Sequence, residues 1–98
     1  MQQMKIDQQA MVPVDFENNN LSRNLKLFRP AVFMEGDSYC ALLGPDPTSG
    51  IFGCGSTPEA AMLDWDNHLN DFVLSHDPDD PMAEYVLATL TASPGNVG

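Results

Sequence analysis

The sequence predicts an α+β domain, a small antiparallel sheet of three to four strands packed on one main helix in the order β-β-β-α-β. Three observations lead there. Apolar, strand-forming runs at 25–34, 38–43 and 51–53 are separated by turn formers, first Glu35-Gly36-Asp37 and then Gly44-Pro45-Asp46-Pro47-Thr48-Ser49-Gly50. A helix start follows at Thr57-Pro58-Glu59, with apolar residues recurring behind it at helical spacing. The chain has 98 residues, 43% of them hydrophobic, which suits one core rather than two.

Residues 1–24 are polar and weakly patterned, with Gln2, Gln3, Gln8, Gln9 and the run Asn18-Asn19-Asn20, and read as a flexible N-terminal arm. Within them Val12, Val14 and Phe16 alternate at period two and suit a short edge strand, where Pro13 is tolerated. The α+β domain proper is expected over 25–92. Its first strand, the string LKLFRPAVFM, pairs as a hairpin with Ser38–Leu43, and Pro30 implies an edge position or a bulge. If the next connection is symmetric about Pro47, Cys40 and Cys54 face each other across the second and third strands. That placement suits a disulfide, if the Cα atoms lie within about 7 Å, or two packed thiols.

Thr57 is a natural N-cap, Pro58 fits the first helical position, and Glu59 stands where the helix dipole favours an acid. Ala61, Trp65, Leu69, Phe72 and Val73 form one apolar face, which makes Trp65 a core anchor. The prolines and polar residues of 75–81 end this helix. In the last element Asp80-Pro81 with Glu84 resembles a second helix start, yet Tyr85-Val86-Leu87-Ala88-Thr89-Leu90-Thr91 alternates and is rich in strand formers. A strand is expected there, because a second helix needs a broader sheet to cover its apolar face. Residues 93–98 read as a disordered tail.

Charge is distributed unevenly. All four basic residues, Lys5, Arg23, Lys26 and Arg29, precede position 30, where they meet Asp7, Asp15 and Glu17, whereas residues 30–98 carry eleven acids and no Lys or Arg. The formal net charge of -10 opposes direct binding to nucleic acid or to an anionic membrane surface. No run approaches the roughly 20 apolar residues of a membrane span, and no signal peptide is visible, so a cytoplasmic setting is expected. In that compartment Cys40 and Cys54 are expected as free thiols. A one-signed surface maintains solubility, and it also favours a cationic protein partner that relieves its self-repulsion.

Residues 28–73 resemble the HicB-like antitoxin domain. Pro45-Asp46 corresponds to its Pro-Asp loop, Gly50 to the glycine that follows, and Gly55-Ser56-Thr57-Pro58-Glu59-Ala60-Ala61 to its helix start. Ser56 stands where the family pattern has an acid and Ala60 where it has a second Glu, which removes the Thr-x-x-Glu capping box. The resemblance implies a partial ribonuclease H-like fold without catalysis, whose members neutralise a small basic ribonuclease toxin by covering its active surface. Many also carry a C-terminal DNA-binding module, for which the residues after 81 leave no room.

Catalytic and metal constellations are weakly represented. Cys40, Cys54, His68 and His76 number four soft ligands, but neither a Cys-x2-Cys knuckle nor a closely spaced His pair occurs. Glu35, Asp37, Asp46 and Asp64 have no spacing that demands a two-metal nuclease site, and Asp77, Asp79 and Asp80 lack the glycine and distal Glu of a calcium loop. No phosphate-binding glycine loop or nucleophile elbow is present. The expectation is a non-enzymatic protein without cofactor, which binds a basic protein through Glu59, Asp64, Asp66, Asp71 and Asp77. That partner is a small ribonuclease or, in a phage or mobile-element setting, a nuclease or defence complex blocked by DNA mimicry. A homodimer through an exposed sheet edge is compatible with so small a sheet.

Overall fold

The computed structural model describes residues 5–18, 21–46, 49–75, 77 and 79–92. Its elements run α1 (Arg23–Phe28), β1 (Ala31–Glu35), β2 (Ser38–Leu43), β3 (Ile51–Gly55), α2 (Pro58–Ser75) and α3 (Pro81–Ala92). The strands form one antiparallel sheet in the order β1-β2-β3. Gly36 and Asp37 make the two-residue turn between β1 and β2, with Gly36 at φ 61°, a conformation open to glycine at little cost.

α2 lies across one face of the sheet, over Val32, Ala41, Leu43 and Ile51. It comes close because β3 offers glycine at the crossing. A Cβ on Gly53 would occupy the place of the Trp65 backbone, and one on Gly55 would lie 2.5 Å from the Ala60 Cβ. Trp65 and Ala61 are fully buried at this crossing. Phe33, Cys40 and Leu42 point to the opposite face, where Ile6 and Ala10 pack against them. β2 is therefore buried on both faces from Cys40 to Leu43, which explains its unbroken apolar run in place of alternation.

The expected cap of α2 forms, with the Ala60 N–H donating to Thr57 Oγ1 at 3.0 Å and Pro58 as the first helical residue. Two elements differ from expectation. The string LKLFRPAVFM is not one strand: Ser22 caps α1 by accepting from the Leu25 N–H, and Arg29 closes it in the left-handed region at φ 52°. Leu25 and Phe28 are buried three residues apart, a spacing too brief for periodicity to separate helix from strand. Pro30 is consequently a buried linker residue ahead of β1, neither a bulge nor a strand edge.

The expected fourth strand, Tyr85–Thr91, is instead the body of α3. Asp80 caps that helix through the Met82 N–H at 2.9 Å, and Pro81 takes the first position. Met82, Ala83, Val86 and Leu90 turn inward at helical spacing. α3 needs no wide sheet, because it docks on α1 and α2: Tyr85 meets the Phe28 ring edge-on at 6.2 Å, and Met82 and Val86 join the cluster around Trp65. The arm segment also has definite partners. Met11 bridges to Phe33, Val12 N–H donates to Val32 O and Met34 N–H donates to Ala10 O, while Val12, Val14 and Phe16 pack against the core. The expected tail, 93–98, lies outside the described residues.

Candidate functional site

The acidic residues expected to bind a partner do not share one face. In helical projection Glu59 and Asp66, seven residues apart, occupy the flank of α2 toward α1, and Asp64 and Asp71, also seven apart, occupy the other flank toward β3. Leu63 and Leu74, 62% and 85% exposed, stand between the two flanks. Asp77 follows the helix in the connection to α3.

Each acid has a definite local setting. Asp64 Oδ2 accepts the Cys54 N–H at 2.9 Å, and one turn on His68 Nδ1 donates to the Phe52 carbonyl. A carbonyl only accepts, so Nδ1 is the donor in this contact, and the other ring nitrogen, Nε2, lies 3.7 Å from Asp64 Oδ1. Both backbone groups belong to the edge of β3 that points away from β2. Asp64 and His68 therefore occupy that sheet edge, and the arm occupies the β1 edge at Val32 and Met34.

Asp66 Oδ1 accepts from Asn24 Nδ2 at 2.9 Å, and the same amide reaches Asn70 Oδ1 at 3.2 Å, tying α1 to α2. Asp77 Oδ1 accepts the Asp79 N–H at 2.9 Å and shapes the turn before α3. Glu59 and Asp71 are exposed. Two of the five expected residues thus present free surface carboxylates, and Asp64, Asp66 and Asp77 also hold structure together.

Cys40 and Cys54 are directly opposed, as the loop symmetry predicts, with Cα atoms 4.0 Å apart. That separation is near the roughly 4.5 Å of a non-hydrogen-bonded antiparallel pair, and the outward-pointing Cys54 N–H agrees with it. They form a disulfide rather than the expected free thiols. The register permits this, because residues placed opposite each other at such a pair have their sulfurs within bonding reach. The same bond takes both cysteines out of the four-ligand set, while His68 faces Phe52 and Asp64, and His76 lies outside the described residues. Glu35 and Asp37 flank the β1–β2 turn, Asp46 lies in the β2–β3 loop at the opposite end of the sheet, and Asp64 sits mid-helix, so those carboxylates do not converge. Among the described residues no group of three or more His, Cys, Asp or Glu side chains is gathered to hold a metal ion.

No family model, curated protein or solved structure matches the chain. The HicB-like resemblance consequently rests on the residues quoted for it. No helix among the described residues is long and apolar enough to cross a membrane.

One feature of this surface was missed in the sequence. Leu69, Val73 and Leu74 of α2, with Asn24 of α1 and Leu90 of α3, line an apolar groove of about 330 Å³ where the three helices meet. Leu74, which falls outside the apolar stripe of α2 in helical projection, was its available signal.

Proposed function

We propose that this chain is a non-catalytic, acidic interaction protein that binds and neutralises a basic protein partner, in the manner of an antitoxin that covers a small ribonuclease. The observation that carries this reading is the segregation of charge, with eleven acids and no Lys or Arg over residues 30–98. Neutralisation from within the chain is limited to the four early cations, and Arg29 is already paired with Glu17 at 2.7 Å. The exposed carboxylates of Glu59 and Asp71 are therefore available to an external cation. A field of one sign accelerates encounter with a partner of the other sign and discriminates against anionic competitors. The HicB-like pattern over 28–73 adds the expectation of a toxin-like ribonuclease.

The test is association kinetics with the basic protein that co-purifies with the tagged chain. Glu59→Gln and Asp71→Asn together should slow association about threefold to tenfold at low salt and flatten its dependence on ionic strength. An unchanged rate would remove electrostatic steering. Strong competition by duplex DNA for the same partner would transfer the reading to a DNA-mimicking inhibitor of a nuclease or defence complex.

A further inference from the structure

The groove at the junction of α1, α2 and α3 has an apolar floor with Asn24 and Asn70 as its polar lining, and Asp66, held by Asn24, borders it. Its floor is Leu69, Val73 and Leu90, with Leu74 standing 85% exposed at the lip. Asp66 lies one turn before Asn70 on the groove side of α2, and Asp77 follows the end of that helix. Leu74 and Leu90 belong to the last turns of α2 and α3, which carry no basic residue, so the negative ends of two helix dipoles adjoin the same groove. Against these stands Arg23, the neighbour of Asn24 on α1.

We infer that this groove seats a basic amphipathic helix of the partner, its aliphatic face between Leu74 and Leu90 and its cations toward Asp66, Asp77 and the two helix ends. The inference rests on the proposal that the chain binds a basic protein, and it locates that contact. An apolar floor alone would accept any aliphatic surface, and the charge selects among them. Nucleic acid and anionic lipid are repelled. A second copy of this chain would bring like charges together around the apolar contact. A cationic helix with aliphatic residues three and four apart satisfies both parts, as in other helix-in-groove recognition.

The test uses the full chain and two synthetic peptides of about four helical turns. One has Leu on a single face and Lys elsewhere, and the other has the same composition with the Leu positions scrambled. Binding is read by fluorescence anisotropy of the labelled peptides at low and at near-physiological salt. The amphipathic peptide should bind about tenfold tighter than the scrambled one, and Leu74→Asp should abolish that advantage while Leu63→Asp leaves it intact. Both leucines are exposed, so neither variant threatens the fold. The substitution separates the two contributions, because an added carboxylate strengthens a purely electrostatic contact.

Equal binding of the two peptides, tightened by Leu74→Asp, would overturn the groove and leave the acidic-binder reading standing. No binding of either peptide at low salt would overturn both. Concentration-dependent dimerisation of the chain by sedimentation, abolished by Leu74→Asp, would assign the groove to a second copy and overturn the basic-helix occupant.

Discussion

Replacing Asp64 by alanine should destabilise the fold, and the structure fixes by how much. Asp64 Oδ2 accepts the outward N–H of Cys54 at 2.9 Å, so truncation leaves that edge donor without its acceptor. A hydrogen bond to a charged group contributes about 1.5–3 kcal/mol when desolvated. The Asp64 side chain is 41% exposed, so water recovers part of this, and the expected loss is about 1–2 kcal/mol. At about 4–8 °C per kcal/mol for a domain of this size, the melting temperature should fall by about 5–15 °C. Asp64→Asn retains an acceptor oxygen for the Cys54 N–H and loses only the negative charge at a half-exposed position, for which about 0.5 kcal/mol is the expected loss. Trp65, the one tryptophan and fully buried, reports the transition by fluorescence. A wild-type melting temperature for Asp64→Ala, or equal losses for the Ala and Asn variants, would refute edge capping and return Asp64 to the partner surface.

Three further outcomes follow from the packing. Gly53→Ala should lose on the order of 2–4 kcal/mol, measured by urea titration, because the new methyl meets the Trp65 backbone and α2 must lift; tolerance of this change would contradict the close helix–sheet crossing. Reducing the disulfide should lower stability by about 2–3 kcal/mol for its separation of 14 residues, and thiol titration of the folded, unreduced protein should find no free cysteine. Ala88→Pro, inside α3, should lose about 3 kcal/mol by thermal melting, whereas a strand edge at 85–91 would accept it more readily.

The hairpin, the third strand and the capped start of α2 were legible because each is announced by local chemistry: Gly36 at the turn, the symmetric loop about Pro47, and Thr57-Pro58-Glu59 at the cap. α1 and α3 were not. Six residues of α1 give less than two helical turns of pattern, and Leu25 with Leu27 alternates as convincingly as Leu25 with Phe28 recurs. In α3 the β-branched and aromatic residues outweighed the Asp80-Pro81 start, although the cap and the inward spacing of Met82, Val86 and Leu90 decide the conformation. The candidate site divides in the same way. Sequence identified the acidic helix, but which carboxylates remain free depends on tertiary partners such as Asn24 for Asp66 and the β3 backbone for Asp64. The groove depends on three helices meeting, which no single segment encodes.

The most direct test of the acidic-partner reading is to isolate the tagged chain with its natural partner at moderate salt and measure their association rate across ionic strength. A basic protein whose association slows steeply as salt rises, and slows at low salt with Glu59→Gln and Asp71→Asn, is the predicted result. A partner of no positive charge, or an association rate indifferent to salt and to these substitutions, would contradict it.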